Sequence, residues 1–210
     1  MKKRKINENF FHECHCSRQR FEGRCSTISD FGYAYEDFKS IYDFYVAHAP
    51  IKKDESTRTN MPIASLRDFG WKGNASLQSL ERKLLRESGI QSFVILKSNR
   101  IDGTLESMNL TGDICCQHPR AVLKMEAKTT VEEDGSVSVS SSETRMICLF
   151  RHIRNSLAHG LTYSLSPDTM LIEDRDDDGV TARMVIKKTT LVDWIEVVRS
   201  GPDSSGGMKK

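Results

Sequence analysis

The sequence predicts a mainly α (α+β) fold, in which a set of helices carries one small antiparallel β-hairpin and a C-terminal helix. Apolar residues recur at helical spacing in residues 30–49, 74–87 and 145–159. Two short apolar runs flank an Asp-rich and Gly-containing stretch at residues 174–179, which predicts the hairpin. The length of 210 residues, with 38% hydrophobic residues, suits one domain with a substantial core.

The strongest helix prediction covers residues 145–159, RMICLFRHIRNSLAH. At about 100° per residue, one arc of this helix holds the apolar residues Met146, Ile147, Leu149, Phe150, Ile153, Leu157 and Ala158. The opposite arc holds Arg145, Cys148, Arg151, His152, Asn155, Ser156 and His159. Gly160 tolerates the left-handed conformation that commonly follows a helix end, so we expect the helix to stop near His159.

Arg154 breaks this pattern, because it projects from within the apolar arc. Burying an unpaired charge is costly, so the side chain needs a partner or access to water. Either Arg154 extends to solvent or pairs with a core carboxylate, or its planar guanidinium awaits an anion such as a phosphate. His159 lies near the negative end of the helix dipole, which favours the imidazolium form.

Residues 154–159 (RNSLAH) resemble the R-x4-6-H signature of the HEPN superfamily. Residues 144–198 are similar to a small bacterial and plasmid-borne HEPN subfamily. In that subfamily an RN-x-LAHG helix precedes a two-stranded unit and a helix of the T-L-x-D-W-I type, here residues 190–195. Arg145 and His152 also satisfy the bare signature, but Asn155 and the terminal His159-Gly160 favour the second pair.

This resemblance implies a HEPN-like helical bundle that dimerises through the helix at residues 145–159. It also implies an endoribonuclease that cleaves RNA by attack of the ribose 2′-OH, with no metal and no cofactor. Toxin–antitoxin or antiviral defence is the implied setting, with an antitoxin or defence-system protein as a partner. A catalytically inactive HEPN protein that binds RNA or a partner is the alternative.

The implied catalytic residues are Arg154, which would hold the phosphate, His159, which would act as acid or base, and Asn155, which would position groups. Arg145, Arg151 and His152 would contact RNA. On an ideal helix, Arg154 and His159 point about 140° apart. Either the helix unwinds at His159, or a two-fold dimer completes the site with a second Arg and His.

The helix predictions outside this motif rest on spacing. Residues 74–87 should turn their leucines inward and end at Ser88-Gly89, with basic residues forming a solvated face or meeting phosphates. Residues 190–198 should bury Leu191, Trp194, Ile195 and Val198. In residues 30–49 an aromatic stripe is expected to pack in the core rather than stack on bases; it comprises Phe31, Tyr35, Phe38, Ile41, Tyr42 and Tyr45.

The remaining segments give weaker patterns. Residues 92–97 (SFVILK) predict a strand, residues 119–127 a helix or a strand, and residues 99–112 a loop. Residues 129–143, rich in Ser and acidic residues, predict a mobile excursion. Residues 169–173 and 181–187 should pair as the hairpin, with the Asp run at its tip rather than in a calcium loop. A single domain is expected over residues 1–199, followed by a disordered tail at 200–210.

Composition limits the class of protein. A net charge of +2 argues against a histone-like binder, so any contact with nucleic acid must be local. No apolar run follows the basic first five residues and none approaches a membrane span, so a cytoplasmic protein is expected. The six cysteines are expected to be free thiols. A cluster near the N-terminus lacks the usual zinc spacing, so no metal site is expected there; it comprises His12, Cys14, His15, Cys16 and Cys25.

Overall fold

The computed structural model describes residues 19–20, 31–51, 65–97, 101–131, 134, 137–141 and 143–202. In chain order the elements are β1 (Gln19–Arg20), α1 (Tyr35–Ile41), a π-helical segment (Tyr42–Ala47), α2 (Gly73–Ser88), β2 (Ser92–Leu96), α3 (Asp102–Ser107), β3 (Asp113–Ile114), β4 (Arg120–Lys124), β5 (Ala127–Val131), β6 (Val137–Ser141), α4 (Arg145–Ala158), β7 (Thr162–Ser166), β8 (Thr169–Asp176), β9 (Gly179–Lys187) and α5 (Thr190–Ser200).

A five-stranded sheet in the order β2-β4-β9-β8-β7 lies at the centre of the molecule. Strands β2 and β4 are parallel, and the other neighbours are antiparallel. The prediction of a mainly helical bundle with one small hairpin was therefore wrong, because the fold is mixed α/β. The reason is burial on both faces: in β8, Met170 and Ile172 belong to one core and Leu171 to the other. Such strands give continuous apolar runs rather than the alternation that marks a half-exposed strand.

The first core lies between one face of the sheet and the layer formed by α2, α4, α5 and the π-helical segment. Buried aromatic side chains tie these helices together through their polar atoms. Trp194 Nε1 donates to the carbonyl of Leu84 at 2.8 Å, and Trp71 Nε1 donates to that of Val198 at 2.8 Å. A buried indole needs such a partner, so these bonds fix the position of α5 against its neighbours.

The second core covers the opposite face of the sheet, where α3 and the segment around it pack on β4, β7, β8 and β9. Its buried members are Ile101, Leu105, Met108, Leu110, Ile114, Val122, Tyr163, Leu165, Leu171 and Val185. The loop prediction for residues 99–112 missed α3. This helix has six residues (DGTLES) with weak intrinsic propensity, so burial of Leu105 rather than local sequence stabilises it.

Several predictions about individual elements are confirmed. Helix α2 ends at Gly89 with φ +64°, and helix α5 buries all four expected side chains. Strand β2 and the β8–β9 hairpin form as expected, and residues 120–124 resolve as a strand.

The prediction that the aromatic stripe at residues 30–49 packs in the core was only partly correct. Tyr35 and Tyr42 are 74% and 51% exposed, whereas Phe44 and Tyr45 are buried. The helix changes to π-type at Tyr42, so the 3.6-residue period that the prediction assumed does not continue through the segment.

Residues 129–143 were predicted to form a mobile excursion, but part of this segment is paired in a β-hairpin. Strands β5 and β6 form an antiparallel hairpin directly before α4. The predicted N-terminal cysteine and histidine cluster and residues 203–210 of the predicted tail lie outside the described residues. Within the described ranges, no helix is both long and apolar enough to cross a bilayer.

Candidate functional site

Helix α4, which carries the signature, is bounded by side-chain and backbone caps at its two ends. At the start, the Thr144 hydroxyl accepts a hydrogen bond from the backbone N–H of Ile147 at 3.3 Å. At the end, Gly160 has φ +67° and the N–H of Leu161 donates to the carbonyl of Ser156 at 2.8 Å. This is the Schellman arrangement, so the predicted end of the helix near His159 is confirmed.

The buried face of α4 differs from the predicted apolar arc. Cys148, His152 and Ser156, which were placed on the polar arc, are fully buried. Arg154, which was placed within the apolar arc, is exposed. The cause is the position of α4, which contacts β4 and β8 on one side and the π-helical segment on another. More than one arc is therefore covered, and part of the covered surface is polar.

His152 meets a carboxylate inside the protein. Its Nδ1 lies 2.7 Å from Asp174 Oδ2, and its Nε2 lies 2.7 Å from the carbonyl oxygen of Lys124. The His152 and Asp174 side chains are 0% and 4% exposed. Nε2 also lies 3.3 Å from Arg151 Nη2, so both ring nitrogens have polar partners inside the protein.

The Lys124 carbonyl is available to α4 because Lys124 ends its strand. The pairing of β4 with β9 stops one residue earlier, at Leu123. The carbonyl accepts from His152, from Arg151 Nη2 at 3.2 Å and from Cys148 Sγ at 3.5 Å. This single backbone oxygen thus joins the centre of α4 to the sheet.

Arg151 is held by two carboxylates at the base of the β5–β6 hairpin. Its Nε and Nη2 donate to Glu143 at 2.9 and 2.7 Å, and Nε lies 3.3 Å from Glu126 Oε1. Burial raises the pKa of Glu143, but the hydrogen bond and charge of Arg151 outweigh burial, so the pKa lies below its usual value.

The Cys148 thiol lies in the same region and stays neutral. Burial raises its pKa, and the charge of Glu143 raises it further. A thiol that does not ionise is a poor nucleophile, so Cys148 has no role in nucleophilic catalysis.

Arg145, at the start of α4, binds the Glu81 carboxylate through Nε and Nη2, each at 2.8 Å from an oxygen. Arg145, Arg151 and His152, the three residues expected to contact RNA, thus each have a carboxylate partner. His152 presents no surface to a ligand. The alternative signature pair, Arg145 and His152, is occupied in holding α4 to its neighbours.

Arg154 and His159 are arranged differently. Both are exposed, and in the part of the chain that the structure describes neither has a carboxylate within ion-pair distance. Arg154 Nη1 donates to Asn155 Oδ1 at 3.2 Å, and Asn155 Nδ2 donates to Asp174 Oδ2 at 3.2 Å.

His159 is the C-cap residue, with φ −97° and ψ 2°, so the chain leaves the helical path there. The structure joins Arg154 to Asn155 directly. It records no side-chain hydrogen bond from His159 to either residue within the described ranges.

Sequence reasoning missed Asp174, Glu143 and the Lys124 carbonyl. Asp174 was read as part of the acidic hairpin tip, but strand alternation contained a signal. Residues 170, 172 and 174 of one strand lie on the same face, and Met170 and Ile172 face α4. Within the described residues, no group of three or more His, Cys, Asp or Glu side chains is placed to hold a metal ion.

The arrangement at the end of α4 offers a guanidinium and an imidazole to an external ligand, with an amide held between the guanidinium and a buried carboxylate. Comparison of the chain with protein-family models, with curated proteins and with solved structures finds no match.

Proposed function

We propose that this chain is a metal-independent endoribonuclease whose site contains Arg154 and His159, with Asn155 as a positioning group. One observation carries the proposal. Of the five basic side chains at residues 145–159, the described structure pairs Arg145, Arg151 and His152 with carboxylates and exposes Arg154 and His159 without such partners. A guanidinium without a carboxylate partner is available for a phosphate.

In the proposed reaction, a base removes the proton of the ribose 2′-OH and the 2′-oxygen attacks the adjacent phosphorus. The bond from phosphorus to the 5′-oxygen then breaks, and an acid protonates the leaving oxygen. The products are a 2′,3′-cyclic phosphate and a 5′-hydroxyl. His159 can transfer protons near neutral pH, and Arg154 can stabilise the charge that develops on the phosphorane.

One imidazole cannot be base and acid at the same moment, so we propose a homodimer through α4 that supplies a second His159. The exposed side of α4 suits such a contact, because Arg154 and Ala158 are exposed and Ile147 and Leu157 are half-buried. The support from resemblance is confined to the signature, the hairpin and α5, since the helical-bundle expectation was wrong. A cytoplasmic defence or toxin–antitoxin role, with an antitoxin or defence-system protein as partner, rests on that resemblance.

The deciding experiment measures cleavage and binding of RNA by the same protein samples. Wild type should cleave, whereas Arg154→Ala and His159→Ala should not. His48→Ala and Arg86→Ala are matched controls, because both residues are exposed and lie on other parts of the chain. Binding without cleavage by wild type would overturn the proposal and support the non-catalytic alternative.

A further inference from the structure

The contact between Arg154 and Asn155 is an unusual one for a helix. Adjacent residues point about 100° apart, so their side chains do not normally face each other. Here Arg154 Nη1 donates to Asn155 Oδ1 at 3.2 Å. The contact requires that the Asn155 amide turn its oxygen toward Arg154 and its nitrogen away.

Asp174 determines that orientation. Its Oδ2 accepts from Asn155 Nδ2 at 3.2 Å and lies 2.7 Å from His152 Nδ1. Its Oδ1 accepts from the backbone N–H of Arg175 at 2.9 Å. A carboxylate accepts hydrogen bonds and cannot donate them, so the amide must present its NH2 group to Asp174 and its oxygen to Arg154.

The Asp174 carboxylate is itself immobile. Asp174 is 3% exposed, and it lies on the interior strand β8, next to a register shift between Asp174 and Arg175. Both carboxylate oxygens have partners. A buried and fully bonded group of this kind can transmit a fixed geometry to a half-exposed neighbour such as Asn155.

We propose that Asp174 is a positioning residue that acts through Asn155 to orient the guanidinium of Arg154 toward its phosphate ligand. This inference rests on the ribonuclease function proposed above, and it names a residue outside the signature. The competing interpretation is that Asp174 only pairs with His152. The two interpretations differ in what happens at Arg154 when Asp174 is changed in a protein that stays folded.

The first test follows the guanidinium itself. The order parameter of the Arg154 Nε–Hε group is measured by 15N relaxation at mildly acidic pH in wild type, Asp174→Asn and Asn155→Ala. We expect the order at Arg154 to fall in both variants, while Arg145, held by Glu81, stays unchanged as an internal reference. Asp176→Asn makes the same chemical change two residues further along β8, at a half-exposed side chain, and should leave Arg154 unaffected.

Asn155→Ala keeps the His152–Asp174 pair intact and removes the amide through which Asp174 would act, so it tests this link even if Asp174→Asn unfolds. An unchanged Arg154 order in folded Asn155→Ala would overturn the proposal. This measurement does not depend on activity. A wild type that cleaves no RNA would therefore refute the proposed function, while the relaxation data still show whether Asp174 positions Arg154.

The second test is a double-mutant cycle on RNA cleavage. We expect Asp174→Asn and Asn155→Ala each to lower kcat/KM by about 10- to 100-fold, the range seen when a catalytic group is displaced by a small distance. The double variant should lose no more than the worse single variant, because both changes break one chain of contacts. Losses that multiply would show that Asp174 acts independently of Asn155, and losses that follow the folded fraction would show that Asp174 acts only through stability.

Discussion

His152 and Asp174 form a buried pair that connects α4 to strand β8, with 2.7 Å between Nδ1 and Oδ2. The pair is surrounded by protein on all sides, and its second ring nitrogen is bonded to the Lys124 carbonyl. The histidine nearest the middle of the helix is thus buried, whereas His159 at its end is exposed.

Removing one member of the pair should destabilise the fold. His152→Ala or Asp174→Ala leaves the other buried side chain without its hydrogen-bond partner, which costs about 1–3 kcal/mol. Urea denaturation measures the change in the free energy of unfolding. The double variant His152→Leu with Asp174→Leu should recover much of the loss. Single variants as stable as wild type would show that the buried pair contributes little.

Arg154→Ala and His159→Ala should abolish cleavage and leave stability within about 0.5 kcal/mol of wild type, because both side chains are exposed. Asn155→Ala should reduce activity less. Cleavage rates and thermal melting are measured on the same samples. A cooperative melt well below that of wild type for either variant would assign that residue a structural role instead.

Cleavage should persist in EDTA and leave a 2′,3′-cyclic phosphate end. The reason is that the proposed groups supply the acid, the base and the positive charge without a metal. Product ends are identified by mass spectrometry of a short RNA. Activity that disappears in EDTA and returns on addition of magnesium would contradict the metal-free mechanism.

Mixing subunits should reveal whether a site is shared by two chains. If one site needs His159 from both chains, an equal mixture of wild type and His159→Ala with free exchange keeps about one quarter of the activity per dimer, by random pairing in a two-fold assembly. Independent sites would keep about one half. The two forms are co-expressed and assayed at a known ratio, and a value near one half would reject the shared site.

Protonation of Glu143 should lower the free energy of unfolding at acid pH. Its pKa is lowered in the folded protein, so its pairing with Arg151 contributes fully above the unfolded pKa of about 4.3 and is lost as pH falls through the folded pKa. Glu143→Gln should therefore be less stable than wild type at neutral pH, and the gap should close in acid. Urea unfolding across this range is the measurement, and a gap independent of pH would contradict the assigned pairing.

Local sequence was sufficient where one segment carried its own signals. Helices α2, α4 and α5 combine regular apolar spacing with clear ends, such as Gly89 and Gly160, and the β8–β9 hairpin has its turn residues between two apolar runs. The choice of Arg154, Asn155 and His159 as site residues came from the resemblance to the HEPN signature, and it stays a prediction.

The layer architecture was decided only by tertiary structure. A strand buried on both faces and a short helix such as α3 have no periodic signature of their own, so the five-stranded sheet and its second core could not be read locally. Tertiary structure alone also decided which partners the charged side chains of α4 have. Asp174 is 22 residues from His152 in sequence and meets it only because β8 packs on α4. Which basic groups are neutralised and which stay exposed depends on such distant partners, since ion pairing depends on spatial distance rather than on sequence spacing.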